Sequence, residues 1–195
     1  MDVERDTELA LVGRLREGDS GAFDEVYDAY RARLFSFLVR LSRRRDLAED
    51  LLEETWLRLV THARRLTPDT RLGPWLFTVA RNLYWSYCRS RLLEDEFATG
   101  LFGEWPSPVR DPSPFETAAA SELERRVEAA LVALRPSQRE VLLLVAERGW
   151  TPAEAAAICG VTPDVFRQRL SRARAALADA MGREPAGPAR SEERT

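Results

Sequence analysis

The chain has 195 residues, of which 45% are hydrophobic and 31% charged, and its formal net charge is −3 at pH 7. A chain of this length can bury one moderate core or two small ones. The mildly acidic total argues against a protein that coats nucleic acid indiscriminately, because non-specific binding grows with the neutralisation of phosphates. No apolar run is long enough to span a bilayer and the N-terminus lacks the apolar segment of a signal peptide, so we expect a cytoplasmic protein without membrane insertion.

The reactive side chains argue against an enzyme or a metal site. Cys88 and Cys159 lie far apart without a second ligand nearby, so neither a disulfide framework nor a metal centre is predicted. His62 is the only histidine, there is no glycine-rich phosphate loop, and no serine, cysteine or carboxylate stands beside an obvious base. We therefore expect no catalytic residue, no metal and no cofactor.

The first half of the chain has the hydrophobic spacing of amphipathic helices. The first helix covers Thr7 to Glu17, and the second begins near Ser20 and ends at the arginines 43–45, where cations suit the negative end of a helix dipole. The third opens at Asp46, which we expect to cap it together with Glu49.

Charge is distributed unevenly along this half. The start of the third helix carries five acidic residues with no arginine between them. Dipole complementarity explains those in the first turn, whereas Glu53 and Glu54 lie beyond it and indicate a partner surface of opposite charge. Residues 62–91 then hold six arginines against one acid, Asp69.

A fourth helix is predicted to begin at Pro74, after the loop 66–73. Its basic residues are interleaved with Trp75, Tyr84 and Trp85. This pattern suits single-stranded nucleic acid, because bases stack on aromatic rings while phosphates meet arginine. For Trp75 we favour a position in the core.

The segment 93–120 is interpreted as a linker, since four prolines crowd into it and would stiffen and extend it. Leu101, Phe102 and Trp105 are unexpectedly apolar for a flexible linker, so we expect the segment to dock, either on a partner protein or on the folded domains. After it, one helix is predicted around Leu123, and the next is expected to start with a capping box. The residues of that box are Ser137 and Glu140.

The end of the chain has the helix start and stop signals of a helix-turn-helix. Thr151 and Glu154 form a capping box for a short helix, which Gly160 ends in a left-handed conformation. The chain restarts at once, with Thr162 as cap and Pro163 in the first helical position.

The last helix predicts a surface that reads DNA. Its buried stripe consists of Phe166, Leu170, Ala173 and Leu177. The opposite side carries Arg167, Gln168, Ser171 and Arg172, and arginine can bind guanine bidentately while glutamine can do the same for adenine. A solvated basic face is the alternative interpretation, but the paired caps and the short turn favour DNA reading.

Two modules of the sequence resemble one known family. The segments AFDEVYDAYRARLFSFLVRL, DLAEDLLEETWLRL and GPWLFTVARNLYWSYCRS resemble region two of a bacterial sigma factor of the extracytoplasmic-function (ECF) group within the sigma-70 family. The segment RVEAALVALRPSQREVLLLVAERGWTPAEAAAICGVTPDVFRQRLSRARAAL resembles region four of that group. The resemblance implies an all-α protein of two small helical domains, region 2 over 1–92 and region 4 over 121–181. A flexible linker over 93–120 joins them, and composition predicts a disordered tail over 182–195.

The resemblance also implies a function and site residues. The protein would direct core RNA polymerase to specific promoters and assist strand opening, without catalysis of its own. The core-binding set, which docks on the clamp helices of the largest polymerase subunit, would be Glu49, Asp50, Glu53 and Glu54. The minus-ten set, which captures a flipped base and the opened strand, would be Thr67, Asp69, Thr70, Arg71, Arg81, Asn82, Trp85 and Arg89. The minus-thirty-five set, which reads the major groove, would be Thr162, Arg167, Gln168, Ser171, Arg172 and Arg174.

The implied partners are the polymerase clamp helices and flap, promoter DNA and an anti-sigma factor. Some positions depart from the family pattern: Ser86 stands where Asp is common, Glu53 where Gln is frequent and Asp164 where Gly is frequent. These differences do not affect the family resemblance, but they affect which promoter sequence we expect the protein to recognise. The alternative function is a helix-turn-helix regulator that binds duplex DNA without core polymerase, with its first domain as sensor or dimeriser.

Overall fold

The computed structural model describes residues 5–99, 121–147 and 150–182, with side chains from 7 to 92 in the first of these ranges. Throughout these ranges the regular elements are helical, which confirms the all-α fold class. The N-terminal module consists of α1 (Arg5–Glu17), α2 (Ser20–Ser42), α3 (Arg45–His62), a short 3-10 turn (Ala63–Arg65) and α4 (Leu72–Thr99). The C-terminal module consists of α5 (Glu122–Ala133), α6 (Pro136–Ala146), α7 (Pro152–Ile158) and α8 (Pro163–Gly182).

Part of the predicted linker belongs to a helix. α4 continues through 93–99, so the chain leaves the N-terminal module later than the sequence suggested. The rest of the linker, with the apolar residues expected to dock, lies outside the described residues, as does the tail from 183 onward.

The junction between α1 and α2 is set by local hydrogen bonds. Gly18 has a φ of +86°, a conformation that favours glycine, and it turns the chain after α1. Asp19 then caps α2 by accepting a hydrogen bond from the Gly21 amide at 2.8 Å. Arg14 donates to the same carboxylate at 2.7 Å, and this contact holds the pKa of Asp19 below its usual value.

Two predicted caps are wrong. α3 begins at Arg45 with Arg44 in the cap position, and Asp46 lies in the first turn, where it accepts from the Arg44 guanidinium. α6 begins at Pro136, where Gln138 accepts from the backbone amide of the cap residue at 3.3 Å. The predicted partner, Glu140, is 1% exposed and faces away from the helix start. In both cases the cap residue lies two positions earlier than the sequence predicted.

The core of the N-terminal module lies between α2, α3 and α4. Its fully buried members include Leu34, Leu38, Leu59, Leu76 and Phe77. Phe23, Tyr27 and Trp56 form an aromatic cluster with ring centroids 5.0 to 6.1 Å apart, so these aromatics are packing residues.

The helix-turn-helix has the predicted caps and turn. The Thr151 hydroxyl accepts from the Glu154 amide, and the Glu154 carboxylate accepts from the Thr151 amide at 2.7 Å, which completes the capping box. Gly160 has a φ of +65°, and α8 starts at Pro163 behind Thr162. Phe166 and Ala173 are fully buried on the inner face of α8.

The two modules pack on each other, and their buried residues form one contiguous core. α2 contacts α6, and α4 contacts α7. The Trp150 ring lies against Phe77 with centroids 4.9 Å apart, and the Arg33 guanidinium covers the Trp150 ring at 5.2 Å. A Cβ on Gly73 would lie 2.6 Å from the Trp150 ring, so glycine is required for this approach.

Candidate nucleic-acid interface

The C-terminal module presents a basic face to solvent. The helices α6 and α7 support α8 from its apolar side, which leaves the other side open. Every member of the minus-thirty-five set is exposed: Thr162, Arg167, Gln168, Ser171, Arg172 and Arg174. A rigid helix with this outward composition can enter a major groove and contact base edges.

Asp164 lies at the start of this basic face and pairs with Arg167. Both side chains are strongly exposed, at 77% and 71%. An ion pair in water contributes little stability, so Arg167 can exchange the carboxylate for a DNA phosphate or base at small cost.

The loop that precedes α4 is held by an acid from α1. Glu8 is 4% exposed. Its carboxylate accepts from the Leu72 amide at 2.8 Å and from Arg71 at 3.0 Å. The Thr67 and Thr70 hydroxyls at the tip lie 3.0 Å apart. The loop therefore has a fixed base, while Thr67 and Asp69 are exposed.

The remaining minus-ten residues lie on α4, where Arg81, Trp85 and Arg89 share one face at four-residue spacing. Asn82 and Arg89 are exposed. Arg81 and Trp85 instead point into the contact between the modules. Both donate to the same Glu140 oxygen, Arg81 at 2.6 Å and the Trp85 indole at 2.8 Å.

A second ion pair joins the predicted strand-binding loop to the helix-turn-helix. Arg71 contacts Glu154 at 2.6 Å while it also contacts Glu8. Glu154 thereby has two roles, because its other oxygen completes the cap of α7. The structure thus divides the minus-ten set into residues that face solvent and residues that contact the C-terminal module.

The core-binding set lies along an open side of α3. Glu49, Asp50 and Glu53 are exposed and Glu54 is half-buried. Glu49 pairs with Arg45 and Glu54 with Arg58, both within the helix. The same helix carries two large apolar residues that are each 59% exposed, Leu57 and Val60.

Residues 5–99, 121–147 and 150–182 contain no cluster of three or more histidine, cysteine or acidic side chains suited to a metal ion. None of the helices described there has the length and apolar character needed to cross a membrane.

Comparison with known proteins assigns the two modules. The sigma-70 region 2 model matches residues 26–92, and the sigma-70 region 4 model matches residues 124–177. The RNA polymerase sigma factor CarQ of Myxococcus xanthus is 32% identical over 173 residues, which cover 87% of this chain and 94% of that protein. The ECF RNA polymerase sigma factor EcfG of Rhodopseudomonas palustris is 37% identical over 158 residues, covering 80% of this chain and 84% of that protein.

The chain belongs to the ECF group of the sigma-70 family. It is an RNA polymerase sigma factor, as the sequence predicted. A regulator that binds duplex DNA alone does not account for the region 2 match, so the family evidence supports the sigma interpretation over the alternative.

Solved structures agree with this sigma assignment. The sigma factor RpoE of Bartonella quintana, crystallised with the anti-sigma factor NepR, superimposes with a TM-score of 0.68 at 28% identity. The match covers 84% of this chain and 98% of that chain. CnrH, solved in complex with the cytosolic domain of CnrY, shares the fold with a TM-score of 0.64 at 22% identity.

Four residues that shape the site of this sigma factor are absent from the sets predicted from its sequence. They are Glu8, Glu140, Leu57 and Val60. Glu140 precedes the fully buried Leu144 by four residues, so helical spacing places it on the buried face of α6. Leu57 follows Glu53 by four residues, which places it with the acidic side. Glu8 carried no comparable signal, since its partners lie more than sixty positions away.

Proposed function

We propose that this sigma factor reads duplex promoter DNA with its C-terminal module and holds the opened non-template strand with its N-terminal module. The proposed domains are region 2 over 1–92, a linker over 93–120 and region 4 over 121–181. The observation that carries the proposal is the free face of α8, on which the whole minus-thirty-five set meets solvent while Phe166 and Ala173 anchor the helix from behind.

The minus-thirty-five set fits major-groove recognition. Arg167, Arg172 and Arg174 supply bidentate donors and phosphate contacts, and Gln168 supplies the amide pattern that pairs with adenine. Asp164 places a negative charge at the first turn of the same helix. A carboxylate at this position repels phosphate, but it can accept a hydrogen bond from a base edge. Asp164 therefore favours bases that present a hydrogen-bond donor there.

The minus-ten set fits capture of single-stranded DNA. Extruding a base costs on the order of a few kcal/mol, and contacts in a pocket must offset that cost. Thr67, Asp69 and Thr70 offer hydroxyl and carboxylate partners for a base edge on a loop whose base is fixed by Glu8. Trp85 supplies a stacking surface, with arginines before and after it for the backbone.

The open side of α3 fits a protein partner. Its acids complement a basic helix, and Leu57 and Val60 provide apolar contact area beside them. We assign this surface to the clamp helices of the largest polymerase subunit. The C-terminal module would contact the polymerase flap.

Further properties follow from this assignment. The protein would act in the cytoplasm, where polymerase and DNA are found, and would leave catalysis to the polymerase. An anti-sigma factor is a proposed partner, since the RpoE and CnrH structures were solved with the proteins NepR and CnrY.

Transcription from fragmented genomic DNA tests the proposal. Core polymerase with this protein is expected to produce new transcript starts that share a two-part upstream motif. Arg172→Ala should weaken holoenzyme binding by about 1 to 3 kcal/mol and relax one position of the upstream half of the motif. Arg125→Ala removes an exposed arginine of α5 and serves as the control.

Two results would count against the proposal. The first is the absence of new starts although core polymerase and a known sigma factor are active on the same DNA. The second is an Arg172→Ala variant that yields the same motif and affinity as the wild-type protein.

A further inference from the structure

A cleft of about 830 Å³ lies between the two modules. One wall comes mainly from the end of α2 and the middle of α4, and the other comes from the end of α5 and the start of α6. Pockets that hold small organic molecules have volumes of about 300 to 1,000 Å³. The cleft is therefore large enough for such a ligand, which would contact both modules.

The charge of this cleft is positive. Among the described residues, the charged side chains that line it are all arginines: Arg43, Arg44, Arg91, Arg135 and Arg139. Arg91 and Arg135 are exposed, so they can reorient toward a ligand. Asp46 pairs with Arg44 but does not belong to the lining. An anionic ligand is therefore the kind that this cleft attracts.

Arg139 shows how closely the cations are placed. Its side chain is 4% exposed and donates to the Leu41 and Leu134 carbonyls at 2.9 and 2.8 Å. Burial and the charge of Arg43 lower the pKa of Arg139 to about 10. Like charges repel each other more strongly where water is scarce, and an anion bound beside them offsets this repulsion. The cleft therefore stabilises an anion with charges that otherwise oppose each other.

The same cleft has an aromatic side. Tyr84, Trp85 and Tyr87 line it, and Trp85 and Tyr87 are half-buried. Aromatic rings of this kind bind flat heterocyclic bases by stacking. The Tyr87 hydroxyl accepts a hydrogen bond from Arg44 at 2.9 Å, which leaves its own proton for an acceptor on a ligand. These residues suit a ligand that carries a flat aromatic group as well as negative charge.

The start of α6 adds backbone donors to the cleft. Pro136 and Ser137, the first residues of this helix, line the cleft next to Arg135. Amides in the first turn of a helix have no partner within the helix, and the helix dipole favours an anion there. Arginine binds phosphate through short charge-assisted hydrogen bonds. Arg135 and the α6 start together fit the phosphate groups of a ligand.

We propose that the cleft between the modules binds a nucleoside polyphosphate, with its base on the aromatic side and its phosphates on the arginines and the start of α6. Inorganic phosphate would leave the aromatic side unused, and a nucleoside would leave the arginines unused. A helical peptide is about 10 to 12 Å wide, so the cleft would hold fewer than about two turns of it. The proposal goes beyond promoter recognition, although Trp85 belongs to both sites.

Isothermal titration calorimetry of the full-length protein with ATP and with GTP tests the proposal. At least one of the two nucleotides is expected to bind in a one-to-one complex. It should bind at least about tenfold more tightly than its nucleoside or inorganic tripolyphosphate, because base and phosphates each make contacts of their own. Saturating nucleotide should also raise the Tm, since it binds only the folded chain.

Arg91→Gln and Arg135→Gln remove one cation from each wall of the cleft. Each variant should weaken nucleotide binding at least about tenfold, because a hydrogen bond to a charged group is lost. Both side chains are exposed, so the fold should be retained. Arg16→Gln and Arg125→Gln are the matched controls, since they remove the same charge from exposed positions outside the cleft, one in each module. They should bind nucleotide as the wild type does.

Several results would overturn the proposal. If tripolyphosphate binds as tightly as the nucleotides, the cleft is an anion site without a place for a base. If neither nucleotide binds, or if the cleft variants bind as tightly as their controls, the cleft is not a nucleotide site. If a single-stranded oligonucleotide binds and ATP and GTP do not, the cleft belongs to the strand-binding surface. The promoter motif found by the transcription assay judges the proposed function separately.

Discussion

Two buried cysteines, one in each module, have thiols that are hard to ionise. Burial raises the pKa of Cys88. Burial, together with the charge of the nearby Glu140, raises the pKa of Cys159 to about 12. The thiolate is the reactive form of cysteine, so both side chains should be inert toward thiol reagents in the folded protein.

The raised pKa of Cys159 predicts a pH dependence of stability. The unfolded chain releases this proton near the ordinary value of 9.0, whereas the folded chain holds it until about 12. The contribution of Cys159 to the free energy of unfolding is therefore fully present below the unfolded pKa. It decreases as the pH rises from the unfolded pKa to the folded pKa, with a slope that approaches about 1.4 kcal/mol per pH unit.

Urea unfolding at about pH 8 and about pH 10.5 measures this effect. Cys159→Ala should lose less stability over the interval than the wild type, whatever its stability at the lower pH. Equal losses in the two proteins would show that Cys159 is exposed enough to titrate normally.

At the scale of one element, α3 combines two surfaces. Its inner side buries Leu51, Trp56 and Leu59 in the core, and its outer side joins acids to Leu57 and Val60. Exposed apolar residues beside a charged stripe are typical of a protein-binding surface. The helix thus holds the module together and offers an interface at the same time.

Leu57→Asp is predicted to weaken binding to core polymerase. Burying a leucine side chain contributes about 1.5 to 3 kcal/mol, so its loss should lower the affinity at least about tenfold. Because the side chain is 59% exposed, the fold itself should be little affected. Titration of labelled protein with core polymerase measures the change.

Leu9→Asp is the control for this variant, since Leu9 is an exposed leucine on α1 of the same module. It should bind core polymerase close to the wild-type level. A Leu57→Asp protein that binds as tightly as this control would remove α3 from the polymerase interface.

Most helices could be predicted from the sequence, because the signals that start and end a helix are local. Few of the contacts between helices could be predicted. The capping box of Thr151 and Glu154 and the left-handed Gly160 depend on neighbours within a few residues, and both were predicted correctly. The cap predicted at Asp46 failed because Arg43 adopts a φ of 60° and α3 starts earlier.

The sequence gives weaker signals for contacts between residues that are far apart along the chain. Arg81 and Glu140 are separated by 59 positions. Helical spacing shows that each lies on a particular face, but it does not show which surface that face meets. For this reason the outward face of α8 could be predicted from the sequence, while the contact between the modules could not.

At the scale of the whole molecule, the two modules behave as one packed body. Trp150 from the C-terminal module fits beside Gly73 and Phe77 of the N-terminal module, and Arg139 donates to the Leu41 carbonyl at 2.9 Å. Burial and the charge of Arg43 lower the pKa of Arg139 to about 10, so this donor remains protonated at neutral pH. We therefore expect the modules to unfold together.

Gly73→Ala should uncouple them. The added Cβ would lie 2.6 Å from the Trp150 ring, whereas alanine is otherwise well suited to α4. Overpacking of this kind costs about 1 to 3 kcal/mol, and here the cost falls on the contact between the modules. Pulsed thiol labelling across a urea series reports each module separately, since Cys88 belongs to one and Cys159 to the other.

In the wild type, both thiols should become reactive at the same urea concentration, because neither module opens while the shared core is intact. In Gly73→Ala the two labelling curves should separate, and the less stable module should open first. Gly13→Ala, which adds a Cβ in open space on α1, should keep the curves together. Separate curves in the wild type would show that the contact does not couple the modules, whereas coincident curves in Gly73→Ala would show that the contact accommodates the added Cβ.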